Sequence, residues 1–352
     1  MQTNKITDYR RIQNWENYFL CSAICSVGKA LGSGIDDYHF YAAFTGDMFA
    51  PLYPEKVGNP NNVPPCDSGV SNSFFDPETV KKAFAAFGHE CVYISNEDIK
   101  KDFRAAMNAI KASVDKGIPV VAWGMGNVHG KDYDGTLTEG CLIGGYGEND
   151  VLYVNLYLGQ ERLPEGSLDE YGYSTITNGL DTTLGLFIAG AKIENNDMRK
   201  LYEEAIAAIP SYLARPPSTG SWGDGTYIFG KAAFETWADT LTTESFFEGK
   251  TDEELGGVWW NLHGAPYCCI CTSTAYDFLK NVVGQYPDLT LAAELLPLYK
   301  KMQDSRQEIW DFQGGFYPPM DKFRTPEFRR HIADILRRMG AICDEILAIY
   351  HD

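Results

Sequence analysis

Cys21 is the residue of this sequence whose setting best suits a nucleophile. Residues 21–31, CSAICSVGKAL, put Ile24, Val27 and Leu31 at helical spacing and run into Gly32, a natural left-handed stop. Cys21 therefore falls in the first turn of a predicted helix. Unpaired backbone N–H groups and the helix dipole favour negative charge there, and the thiolate is the reacting form of cysteine. A plain core cysteine is the competing reading, because Cys25 lies one turn later on the same face and free cysteines are among the most buried residues.

A thiol nucleophile needs a base, and the chain has only six histidines. His129 lies in the loop sequence GNVHGKDYDG and is the best substitute base by proximity. His263, in WWNLHGAPYCCIC, stands beside Trp259 and Trp260 and reads either as a ligand-facing group or as a satisfied structural histidine. His39, His89, His331 and His351 have no thiol or carboxylate arrangement that singles them out. Cys268, Cys269 and Cys271 near His263 raise zinc, but the single Cys268–Cys271 spacing is followed by no second Cys pair at finger-like distance, so neither a metal nor a cofactor is expected. The glycine-rich pieces GMGNVHG and GGYG lack the Lys-Ser/Thr ending of a P-loop and the strand-GxGxxG-helix context of a dinucleotide site. Trp222 through Tyr227, WGDGTY, joins aromatics to an acidic residue and would suit an amine-bearing ligand, with a solvated loop as the alternative.

The elements that would position these residues change character along the chain. Asp76-Pro77 opens a short helix that Gly88 closes, and 91–95 reads as a strand. Ser95 or Asn96 caps one helix carrying Ile99, Phe103, Met107, Ile110 and Val114 on one side, and IPVVAW at 118–123 is a buried strand. CLIGGYG and VLYVNL flank Glu148-Asn149-Asp150 as an antiparallel hairpin, and 184–190 is another strand. The first 195 residues thus predict an α+β domain. From residue 196 to 352 helices are expected almost exclusively, with 211–227 as a loop or lid. The clearest helix is the last: Thr325 caps it, Pro326 takes its first position, and Phe328, Ile332, Ile335, Met339, Ile342, Ile346 and Ile349 recur at three and four residues.

Composition bounds the partners. The chain has 352 residues, 44% hydrophobic and 22% charged, which predicts about two folded domains and excludes disorder or coiled coil as a whole-chain description. The net charge of −18 repels phosphate backbones and anionic membranes, so nucleic acid is not an expected partner. No stretch is apolar enough to span a bilayer and the start lacks an apolar signal region, which together predict a cytoplasmic protein. Nine cysteines, an odd number, fit reduced thiols. Aromatics at 13% can wall a pocket or an interface, so an oligomer stays open.

A helix led by Cys in the first thirty residues, then further helices, a GIPVVAW strand and an xxCLIGGYG-END-VLYVN hairpin, resembles the papain-like core of the C39-like cysteine peptidases. It is most similar to the bacterial proteins related to the butirosin-biosynthesis H acyltransferase, which also carry a helical C-terminal region. The resemblance implies a papain-like domain over 1–195 and an all-helical domain over 196–352. It also implies Cys21 as nucleophile, a base at Glu139 where the family has histidine, and Asn155 as orienting residue. The oxyanion-hole glutamine of the family stands six residues before the cysteine; here Gln13 is eight and Asn17 four residues before it.

Glu139 departs from the family with a physical cost. An ionised carboxylate beside Cys21 would repel the thiolate, whereas an imidazolium would stabilise it. Either Glu139 is held protonated by burial, as donor or general acid, or a histidine such as His129 or His263 supplies the base. The expected function is a cysteine-dependent acyltransferase or amide/thioester hydrolase acting on a small molecule, with Asn17, Trp222, Tyr227, Trp259, Trp260 and His263 as candidate substrate contacts. The alternatives are a non-catalytic binding protein that keeps the cleft and a protein that uses its aromatic surface for association.

Overall fold

The computed structural model of the chain describes residues 4–7, 19–57, 72–123, 140–156, 169–219, 225–269 and 272–351. Among these residues ten strands run in chain order: β1 (Asn4–Lys5), β2 (Leu52–Pro54), β3 (His89–Ser95), β4 (Val120–Trp123), β5 (Gly140–Tyr146), β6 (Leu152–Leu156), β7 (Ser174–Ile176), β8 (Gly185–Lys192), β9 (Ser218–Thr219) and β10 (Thr226–Phe229). They form two sheets in two units. The boundary between the units falls at Asp197/Met198, and residues 46–57 and 72–76 group with the second unit although they precede it in the chain.

The first unit is built on an antiparallel sheet in the order β3-β8-β4-β5-β6-β7, with β1 added to the far end of β5. Period-2 alternation divides its residues between two faces. One face carries Val120, Ala122, Ile143, Val154, Leu186 and Ile188, packed on Ala106, Met107, Ile110 and Val114 of the Phe103–Val114 helix. The other face carries Val121, Trp123, Leu142 and Phe187, all buried, and Tyr93 stacks on Phe187 with ring centroids 4.9 Å apart. The Phe19–Ala30 helix packs on β4 and β5 and adds no side chain to the first core, so it covers this second face. Two-sided burial explains why β4 and β5 read as nearly continuous apolar runs.

Local chemistry accounts for the element ends. Gly32 and Gly88 adopt positive φ and stop the two early helices as expected. The hairpin forms with its polar turn at 148–150. The single helix expected after Ser95 is two. Ser95 and Asp98 form a reciprocal capping box for Asn96–Lys101, and Asp102 then leaves helical geometry and accepts from Ala105 N–H at 2.9 Å, starting Phe103–Val114. A second N-cap residue thus wins over continuous apolar spacing. The GG of GGYG is a packing device. A Cβ on Gly144 would lie 2.2 Å from the Tyr173 hydroxyl, and one on Gly145 would lie 2.9 Å from the Asn4 carbonyl oxygen.

The second unit is mainly helical. Its long helices are Gly230–Thr242, Thr272–Gln285, Thr290–Gln313 and Pro326–Ile349. The all-helical expectation is corrected by a small antiparallel sheet, β2-β10-β9, in which Leu52, Tyr53 and Pro54 pair with Phe229, Ile228 and Tyr227. The 211–227 loop is likewise interrupted by the end of the Ile209–Leu213 helix and by β9. That pairing joins segments about 170 residues apart, beyond the reach of local patterning. Arg329 is fully buried: its Nε and Nη1 donate to the carbonyls of Leu241 and Phe323 at 3.1 and 2.9 Å, and Nη2 donates to both Glu244 carboxylate oxygens. It ties the last helix to the end of Gly230–Thr242. No helix among the described residues is long and apolar enough to cross a membrane.

The last helix buries Ile332, Ile335, Ile342 and Ile346 as its spacing requires, while Ile349 is only half-buried. Ile346→Asp puts an unpaired carboxylate in the core and is expected to destabilise by more than about 3 kcal/mol in urea titrations, with Ile349→Asp costing less. Equal cost at both positions would contradict the packing.

Candidate functional site

Cys21 is the third residue of the Phe19–Ala30 helix, in its first turn, and is fully buried. Its Sγ lies 3.6 Å from the Thr45 hydroxyl at the end of the Tyr38–Thr45 helix. Asn155 sits on β6 opposite Leu142 of β5. Alternation sets it on the face that bears Leu142 and the cysteine helix, away from the Val154 core. The residue is buried; its Nδ2 donates to the Gly172 carbonyl at 3.3 Å, while Oδ1 has no hydrogen-bond partner among the described residues. Cys21 and Asn155 therefore share one side of one sheet. Glu139, His129, Asn17 and Trp222 lie outside the described residues, as does Cys271, and the side chains of Cys268 and Cys269 do as well.

Three residues near the cysteines carried no signal in the sequence reading. Thr45 faces Cys21, and Asp37, whose charge acts on Cys25, pairs with His39. His39 Nδ1 is 3.3 Å from Asp37 Oδ1, and this contact holds the Asp37 carboxyl below its ordinary range. Burial, with Asp36 beside it, pushes the Cys25 thiol up to about 12. Cys25 is thus a neutral thiol, with Sγ 3.6 Å from the Ile35 carbonyl. An Asp-x-His spacing at a helix start is a usable signal for such a pair, but not for which cysteine stands near it. Among the described residues no group of three His, Cys, Asp or Glu could hold a metal ion.

The other candidates belong to the second unit. Tyr227 and Trp259 are buried, and Trp260 is half-buried. Tyr227 packs on Phe75 with centroids 5.6 Å apart. His263 lies in a π-helical turn, Trp260–Gly264, and is fully buried among Trp237, Tyr267 and Phe323. Its Nε2 donates to Gln313 Oε1 at 3.1 Å, leaving Nδ1 without a donor among the described residues. Burial lowers its pKa to about 4, outweighing the Gln313 hydrogen bond, so the ring is neutral at pH 7. The structure makes it a core residue.

No protein-family model matches the chain, and no curated protein matches it.

His263 makes stability depend on pH with a defined sign. Its folded pKa lies below the ordinary value of 6.5, so the unfolded chain takes up a proton that the folded state refuses until about pH 4. Stability is therefore full above pH 6.5 and falls between 6.5 and 4, by about 2 kcal/mol from pH 7 to pH 5. Urea titrations should show this extra loss in the wild type and not in His263→Gln. Equal pH slopes would remove His263 as its source.

Proposed function

We propose that the first unit is a papain-like scaffold for cysteine-dependent acyl transfer or amide/thioester hydrolysis on a small molecule. In this reading Cys21 Sγ attacks the substrate carbonyl carbon; His129 as base takes the thiol proton and returns it to the departing amine or thiol, and a protonated Glu139 serves as hydrogen-bond donor. The acyl group then passes from sulfur to an amine or to water. Asn155 orients the proton-transfer partner. The observation that carries the proposal is the buried Asn155 Oδ1, which has no donor among the described residues, on the side of the sheet covered by the helix whose first turn holds Cys21. An acceptor of that kind is what an orienting residue offers to the N–H of an imidazole or the O–H of a protonated carboxyl.

One observation favours a second reading. Cys21 has no solvent exposure, which suits a binding protein that keeps the scaffold without the chemistry. In either case the acidic balance of the chain favours amine-bearing over phosphate ligands.

Iodoacetamide labelling followed by peptide mass spectrometry separates the two. As a nucleophile, Cys21 should be alkylated ahead of the other cysteines and at a pH below about 8.5. Asn155→Ala should slow that reaction about tenfold at pH 7 while leaving it unchanged at pH 9.5. If Cys21 resists labelling throughout that range in the folded protein, the binding reading stands and the nucleophile assignment falls.

A further inference from the structure

The ammonium of Lys5 sits in a cage of three tyrosines and one carboxylate. Lys5 Nζ is 4.0 Å from the centroid of Tyr153 and 5.9 and 5.8 Å from those of Tyr171 and Tyr173, and it forms an ion pair with Asp169 Oδ2. The walls are held by their own turn. Asp169 Oδ1 accepts the backbone N–H groups of Tyr171 and Tyr173, both at 2.9 Å, which leaves Oδ2 for the cation. The Asp169 N–H donates to the Tyr173 carbonyl at 3.0 Å and the Gly172 N–H to the Asp169 carbonyl at 3.0 Å, closing the turn. Gly144 makes room for the Tyr173 ring, which is buried, and Tyr153 is fixed by β6 pairing with Gly145 and Thr175. These hydrogen bonds and strand pairs are made without the Lys5 side chain. The lysine itself arrives on β1, a two-residue strand held by pairing with Gly145 and Tyr146, by Ile6 N–H to the Gly144 carbonyl, and by the Tyr173 hydroxyl on the Ile6 carbonyl. Tyr171 is 42% exposed, so the cage opens to solvent.

We propose that Tyr153, Tyr171, Tyr173 and Asp169 form a recognition site for an alkylammonium group, in which Lys5 is the tethered occupant that a free cationic ligand displaces. Ring faces present negative quadrupole to a cation, one carboxylate oxygen supplies the counter-charge, and a site of this composition prefers an ammonium to a neutral or anionic group. The site is independent of the acyl-transfer reading, because it uses neither Cys21 nor Asn155.

The test uses tetramethylammonium chloride as probe, with sodium chloride at equal ionic strength as control. Lys5→Ala should bind tetramethylammonium at least tenfold more tightly than the wild type in isothermal titration calorimetry, and Lys5→Ala with Tyr153→Leu should lose that binding. A folded Lys5→Ala protein that does not bind the probe, or binding that survives loss of Tyr153, would make Lys5 a staple of β1 and overturn the proposal. If Lys5→Ala does not fold, the wild type decides. Reductive methylation of Lys5, read by mass spectrometry, should be faster in tetramethylammonium than in sodium chloride, and equal rates would overturn the displacement.

Discussion

The first unit depends on the register of β5. This strand pairs with β4 and β6 and, past a shift between Ile143 and Gly145, with β1 as well. A slip of one residue would exchange Leu142 with Ile143 and move an entire side-chain set to the other face. Both faces are buried, so such a slip would strand apolar groups from two cores at once. The same register carries Asn155 to the side of the cysteine helix, because Asn155 is the partner of Leu142. It also brings Gly144 and Gly145 to where Tyr173 and the Asn4 carbonyl approach. One pairing pattern therefore sets the candidate catalytic face and the lysine cage together.

Local chemistry was legible in the sequence and long-range pairing was not. The cysteine helix, the hairpin around 148–150 and the final helix follow from apolar spacing, proline at the first turn and glycine at the exit, all of which act within a few residues. Asp102 was misjudged because its cap competes with five apolar residues at helical spacing, and the cap wins at the cost of one helical turn. β1, β7 and β2 are two or three residues long, too short for periodicity to register. Of the candidate site, Cys21 in its first turn and Asn155 on β6 were legible. The face that Asn155 occupies was not, since it depends on parity across three strands.

The GGYG piece shows why motif and role must be kept apart. In the sequence it raises phosphate binding only to be refused for want of a lysine and a helix. In the fold its glycines are spaces for a tyrosine ring and for a neighbouring backbone. The consequence is chemical all the same, since those spaces seat Tyr173 and β1 around the Lys5 ammonium. A glycine pair that makes room in the packing thus shapes the surroundings of the Lys5 ammonium.

Two cysteines one turn apart on one helix stand in different surroundings. Cys25 looks toward Asp36 and Asp37, whose charges add to burial in opposing a thiolate. Lys29 acts in the opposite direction, but its ammonium is paired with Asp36. Cys21 faces the hydroxyl of Thr45, which brings no charge and can stabilise either form of the thiol by donating or accepting a hydrogen bond. It also stands nearer the start of the helix, where the dipole favours the anion and its influence fades within a turn. Asp36 and Asp37 thus act on the cysteine that lies farther along the helix. On the proposed reading, reactivity at Cys21 would be set by the proton acceptor that reaches it and not by the helix that carries the sulfur alone.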